Sequence, residues 1–339
     1  MKKYIFLIIT SCLFLSKLNA EEIYYNNELR KANPDRVEKM SYGDISKLII
    51  DQSYGNIILQ NTDSKEIEVE IRYFDGNKNK AGSNMKVSSR VLSITTQNAG
   101  KDGSQIDYII AVPKNIELKL DLKYGNIKID KYSGGFVANL SYSDLNATEL
   151  SSAKAEIKGK YSDVKINKAD DLNLSMEYSD VVINTLNTLK AQGNYTDFRI
   201  TNIQTITASS QYGEFKLGAA NIVNANLKYS DIIIDNLESS IIAQGDYSDI
   251  KIKNSSKQLK NMNIKGHFSD VSVRFDPELS ADFHFDLNYG DLDIPKKYPI
   301  KYNVSEEGDN NIVKKGTLGS KTPTANIFIS TTYADITIK

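Results

Sequence analysis

The stretch LNLSMEYSDVVINTLNTLKAQGNYTDFRI, residues 172–200, decides how this chain is read. It holds two copies of one pattern, at Tyr178 and Tyr195: an aromatic, a small, an acidic and an apolar residue. Working outward, the pattern or a close variant recurs thirteen times. It opens at Tyr42, Tyr54, Tyr124, Tyr142, Tyr161, Tyr178, Tyr195, Tyr212, Tyr229, Tyr247, Phe268, Tyr289 and Tyr333. From Tyr124 to Tyr247 the spacings are 18, 19, 17, 17, 17, 17 and 18 residues, followed by 21 and 21. Chance does not place a tetrapeptide at such intervals, so the chain is a repeat array.

With the aromatic as position 0, position +3 is apolar throughout (Ile127, Leu145, Val164, Val181) and position +5 nearly so (Ile129, Ile166, Ile183, Ile200). Upstream, positions −6 (Leu118, Phe136, Leu172) and −4 (Leu120, Ile157, Leu174) are apolar as well. Each repeat therefore holds two period-2 strands, about −6 to 0 and about +2 to +6, with the small and acidic residues at the corner between them. The aromatic shares the parity of the inward −6 and −4 residues. That predicts a structural ladder of rings at Tyr124, Tyr142, Tyr161, Tyr178, Tyr195, Tyr212, Tyr229, Tyr247, Phe268 and Tyr289, at least half buried, with hydroxyls at the surface.

A unit of this size buries one face and cannot hide it alone. Stacked on copies of itself it makes a β-solenoid, each strand pairing with its equivalent one coil later. At ~3.3 Å per residue a coil has a perimeter near ~56 Å, and a dozen coils at ~4.8 Å make a rod of roughly 60 Å. The six prolines (Pro34, Pro113, Pro277, Pro295, Pro299, Pro323) leave the interval between Pro113 and Pro277 free of proline. A continuous ladder requires that, because proline cannot donate to it. The expected organisation is one all-β body over 21–339. Irregular N-terminal coils span 40–123, with a polar excursion at 75–86. Regular repeats follow over 124–294, then an irregular cap over 295–339.

The 42 Lys and Arg against 43 Asp and Glu exclude a general attraction to nucleic acid or anionic lipid. One Cys and two His leave no zinc cluster and no disulfide framework. Residues 1–20 read as a secretory signal peptide: Lys2 and Lys3, an apolar run from Tyr4 to Leu15, and Ala20 before Glu21. Ile9-Thr10-Ser11-Cys12 resembles a lipobox, but the apolar run continues past Cys12 and Ala20 offers a later cleavage site. No second apolar run of membrane-spanning length follows. The expected location is the periplasm or the cell surface.

SYGNIILQNTDSKEIEVEIRYF (53–74), SQIDYIIAVPKNIELKLDLKYGNIKI (104–129), the YSD repeats, FHFDLNYGDLDI (283–294) and the final TTYADITIK together resemble a bacterial "putative adhesin" family of unknown function. It looks like the versions found in Bacteroidetes-type bacteria, and the resemblance covers nearly the whole chain after residue 20. It implies a single-stranded right-handed parallel β-helix. It assigns no catalytic residue and no cofactor.

Two rows of the repeat could carry function. The acidic row at +2 includes Asp144, Asp163, Asp180, Asp197, Asp231, Asp249 and Asp270. Carboxylates about 5 Å apart repel by roughly 3 kcal/mol at an effective dielectric of ~20. Calcium between coils could offset this. The favoured reading is a corner in which each Asp accepts backbone N–H groups two residues on, helped by Lys128, Lys165, Arg199, Lys216 and Lys251 at +4. The aromatic row could stack sugars, but the absence of Trp and the inward parity favour a structural ladder. Asp170-Asp171 point apart, and His267 and His284 stand alone at the surface, so no catalytic set emerges. The resulting expectation is a non-enzymatic, adhesin-like scaffold without cofactor, whose partner is an envelope protein or glycan. A carbohydrate-binding or carbohydrate-cleaving β-helix is the alternative.

Overall fold

The computed structural model describes residues 33–76 and 80–339; the export segment and Cys12 lie outside the described residues. Among the described residues the regular structure is strand, apart from one 3-10 turn at Lys101–Gly103. The strands form one open hydrogen-bonded network that builds a solenoid-like stack.

The pairing follows the repeat. Glu117–Tyr132 runs parallel to Phe136–Leu150, with Leu118 opposite Phe136 before the corner and Ile127 opposite Leu145 after it. Phe136–Leu150 then pairs with Ala155–Lys160 and with the start of Val164–Asp246. Val164–Asp246 winds on through several coils, its extended segments turning at Tyr178, Tyr195, Tyr212 and Tyr229. The strands before the corners make a first face and those after them a second.

Alternation places the −6, −4, +3 and +5 columns inside, and all are buried in the coils from Tyr124 to Phe268. Each fully buried Leu or Ile is worth ~1.5–3 kcal/mol, so these columns dominate the stability. A further inward column at +8 comprises Tyr132, Leu150, Ala169, Leu186, Ile203, Ala220 and Leu237. The −2 column adjusts volume. At Gly193 a Cβ would lie 2.7 Å from the Phe198 ring, so the glycine makes room for that ring to stack on Phe215 at 4.5 Å.

Chain order and spatial order part company at both ends. On the first face, Lys47–Ser53 pairs parallel with Glu117–Tyr132 on one side and with Val91–Gln97 on the other. Gly82–Ser88 then adds antiparallel as the outermost strand. On the second face, Ile57–Thr62 is followed outward by Gln105–Pro113, Ile67–Phe74 and Arg36–Tyr42. The region expected as irregular coils is thus partly antiparallel, and its polar excursion contains a strand.

At the other end, Ala325–Thr332 does not follow the coil of Ala281–Asn288. It lies between that coil and Asn261–His267, parallel to both. Ile336–Ile338 is inserted likewise on the second face. Of the segment expected as a cap, only Ile300–Glu307 and Asn311–Leu318 cover an end. The final strands are an interior coil.

Candidate functional site: the corner ladder

Each corner begins with an aromatic in the left-handed region. The twelve aromatics from Tyr54 to Tyr333 have φ between +49° and +59°. Such a residue costs roughly 1–2 kcal/mol when it is not glycine. It also inverts the in-out alternation. Inward parity requires a continuously extended chain; with one left-handed residue at each corner the rings point outward instead, 39–54% exposed. The burial expected from inward parity does not occur; the rings pack on one another at the surface.

The inward place at the corner goes to position +1. Ser143, Ser162, Ser179, Thr196, Ser230, Ser248 and Ser269 are buried. Each of these hydroxyls donates to the carbonyl two residues earlier, as Ser162 does to Lys160. Along the stack, the Ser143 N–H donates to Ser162 Oγ and the Ser162 N–H to Ser179 Oγ. Sequence reasoning missed this column. Its signal was the restriction of +1 to Ser, Thr, Gly and Ala.

The rings stack. Centroids of successive rungs lie 4.7–5.2 Å apart with interplanar angles of 3–22°. All ten expected rungs belong to this ladder, together with Tyr54 and Tyr333. Spatially, Tyr333 sits between Phe268 and Tyr289. Tyr42 does not join: Asp44, not Tyr42, is left-handed there, and the Tyr42 hydroxyl lies against the sulfurs of Met40 and Met85. Stacking of this kind adds ~0.5–1.5 kcal/mol per pair and offsets the left-handed backbone. It also hides the ring faces and leaves edges and hydroxyls to solvent.

The acidic row forms a second ladder. The Asp163 N–H donates to Asp144 Oδ1 at 3.0 Å, Asp180 to Asp163 at 2.9 Å, Asp249 to Asp231 at 2.9 Å and Asp270 to Asp249 at 3.0 Å. Glu214 donates likewise to Asp197. The carboxylates do accept backbone N–H groups, but from the adjacent coil rather than from two residues on. Arg199 adds ion pairs to Asp180 and Asp197 at 3.1 and 3.4 Å. Burial, and then the like charges of Asp231 and Asp270, raise the carboxyl pKa of Asp249. At +4, burial lowers the Lys128 ammonium to about 8. Among the described residues no group of three or more His, Cys, Asp or Glu is arranged to hold a metal ion.

The remaining candidates lie apart. His267 packs edge-on against Tyr247, Phe268 and Tyr333, with Nδ1 2.9 Å from the Asp246 carboxylate. His284 stands edge-on to Phe328 on the first face, its pKa lowered by burial and then by Lys315. Asp170 and Asp171 are half-buried between the faces. The lateral faces carry shallow depressions of about 340 and 270 Å³, where amides and lysines such as Asn224, Gln244 and Lys265 on one, and Asn146 and Lys165 on the other, alternate with apolar residues such as Ile242 and Val182.

No curated protein matches the sequence. Among solved structures, the chain is similar to a "putative cell adhesion protein" of Clostridium sporogenes, 12% identical, covering 90% of this chain and 98% of that one at a TM-score of 0.21. It is similar to a "putative adhesin" of Bacteroides fragilis, 11% identical, covering 91% and 100% at 0.22. A "putative lipid binding protein" of Parabacteroides distasonis is 12% identical, covering 73% and 98% at 0.38. No helix among the described residues is long and apolar enough to cross a membrane. The Toastrack DUF4097 family model matches residues 45–339, and the chain belongs to that family.

Proposed function

We propose that this chain is an exported, non-enzymatic scaffold of the cell envelope, wound right-handed and adhesin-like, whose lateral faces meet a protein or glycan partner. The observation that carries this reading is the uniformity of the corner. Ring and carboxylate recur at every corner from Tyr142 to Phe268, with a buried hydroxyl at each except Gly213, and their hydrogen bonds are turned on one another. Catalysis needs a place where unlike groups converge on one reacting atom. A translational repeat supplies the opposite, the same modest contact offered many times, which suits attachment by summed weak interactions.

The stacked rings withhold their faces. A glycan partner would therefore meet the lateral depressions, with their amides, lysines and apolar side chains, rather than the ladder. The decisive experiment is protease treatment of whole cells bearing a tagged chain. Degradation without cell lysis supports the surface role. A chain that is periplasmic and protected until lysis sinks the adhesin reading.

A further inference from the structure

The two lateral depressions differ in how far their side chains are already engaged. The second-face depression is partly zipped shut: the Asn184 amide donates to Asn167 Oδ1 at 3.0 Å. Amides pair across coils in the same way at Asn126 with Asn56 and at Asn254 with Asn236. The first-face depression is not zipped. It crosses the coils of Tyr212, Tyr229, Tyr247 and Phe268, and the side chains of Asn224, Asn226, Gln244 and Asn263 in it make no hydrogen bond within the described residues. Lys265 beside them has no carboxylate within ion-pair reach among the described residues.

The hollow follows from the core beneath it. Ala208, Ala225 and Ala243 form its floor, at the inward −4 position. With Ala191 they make a run of small residues at that position, bounded by Leu174 and Ile264. A close-packed interior draws the strands inward over small side chains, which leaves a dip outside.

Register fixes what stands around the dip. Ile242 pairs with Asn263 and Gln244 with Lys265, one coil apart at ~4.8 Å. Ile242 is 51% exposed between the half-buried Asn224 and Asn263, and no acidic residue lines the hollow.

These groups select a ligand chemistry. A primary amide both donates and accepts, as a sugar hydroxyl does, so hydroxyls along a glycan can engage amides on successive coils. The C–H face of a pyranose is apolar and covers an exposed isoleucine favourably. Lys265 adds a cation without a counter-charge, and the absence of acid leaves nothing in the hollow to repel a carboxylate.

We propose that the first-face hollow binds an acidic oligosaccharide, its hydroxyls held by Asn224, Asn226, Gln244 and Asn263, a pyranose face on Ile242 and a carboxylate at Lys265. This rests on the lateral-face reading above and deepens it by naming the face and the ligand class.

The test is calorimetric titration of the full chain with tetramers of β-1,4-linked glucuronic acid and of α-1,4-linked galacturonic acid, each beside its carboxyl-reduced counterpart. At least one acidic tetramer is expected to bind with a Kd at or below about 1 mM, and its reduced counterpart roughly fivefold more weakly. Lys265→Gln should make the two forms bind alike, and Asn263→Asp should weaken the acidic one. Lys165→Gln, in the second-face depression, should leave both unchanged. All three positions lie at the surface, so the melting temperature should not move. The proposal is overturned if neither acidic tetramer binds, if a reduced form binds as well as its acid, or if Lys165→Gln costs as much as Lys265→Gln. Such a failure leaves the scaffold reading standing, because whole-cell proteolysis decides that separately. A periplasmic, protected chain that still binds the acidic tetramer through Lys265 sinks the adhesin reading and supports this site.

Discussion

The two ends of the ring ladder are built from the same corner and finished in opposite ways. At the N-terminal end, Gly100 lies on the outer face of Tyr54. Its φ is +85°, and a Cβ there would fall 2.2 Å from the ring. Asp107, buried on Gln105–Pro113, accepts the Asn56 N–H at 2.8 Å, the bond an acidic residue of a preceding coil would otherwise take. Met40, Tyr42 and Met85 pack against the core beneath the outermost strands. At the C-terminal end, the ring of Tyr289 and the carboxylate of Asp291 are the last of their rows among the described residues, and no described strand pairs with the outer second-face edge. The difference teaches that the corner propagates itself. Every coil offers the next a ring face, an acceptor and a strand edge, so a stop must be written in sequence that does not repeat. The break in period between Tyr54 and Tyr124 is that stop.

The largest expected effect comes from removing the interior coil at the less finished end. Truncation after Thr324 deletes Ile327, Ile329, Ile336 and Ile338, all buried between two coils. Each such loss is worth ~2–5 kcal/mol, so the melting temperature should fall by roughly 10 °C or more. Limited proteolysis should open the chain beyond Lys260. A truncated chain that melts within a few degrees of the full one would show that the insertion carries little. Next in size is the rung itself. Tyr195→Ala loses two ring contacts and keeps the left-handed backbone, for a cost of about 2–3 kcal/mol; Tyr289→Ala loses one contact, for about 1. Denaturant titration that gave equal losses would refute the assignment of Tyr289 as an end. Smaller still is the acceptor: Asp107→Ala orphans the Asn56 N–H and should cost ~1–3 kcal/mol, whereas Asp291→Ala should stay within ~0.5 kcal/mol.

Much of this architecture was legible in the residues. The period, the pairing of equivalents and the −6, −4, +3 and +5 core columns follow from alternation and spacing, and the structure has them at Leu118 opposite Phe136 and Ile127 opposite Leu145. The corner was misread for one physical reason. Alternation propagates only through extended backbone, and a single left-handed residue at each corner reverses it, sending Tyr178 out and Ser179 in. The interval of 44 residues from Tyr289 to Tyr333 signalled a detour, but not where the returning strand would insert. A motif carries the same pairing information for every coil, so local pattern cannot choose among neighbours. Asp107 was invisible because it belongs to no repeat.

The smallest effect bears on the charge used to close the finished end. Burial raises the Asp107 carboxyl pKa, against the lowering pull of the Asn56 hydrogen bonds and of Arg72. The sign follows from proton uptake. Between the unfolded value near ~3.9 and the raised folded value, the folded state binds more protons, so this group's contribution to stability increases as pH falls through that window. Above the folded pKa both states are ionised and the burial penalty stands in full. Asp107→Asn keeps an oxygen for the Asn56 N–H and deletes the charge. The variant should therefore melt above the parent at neutral pH, and the gap should close as pH falls to about 4. Comparing the two melting temperatures at each pH cancels the other carboxylates, such as Glu149 held low by Lys168, whose loss on acidification runs the other way. If Asp107→Asn melted below the parent at neutral pH, attraction to Arg72 would outweigh burial, and the acid would close that end by charge as well as by its hydrogen bond.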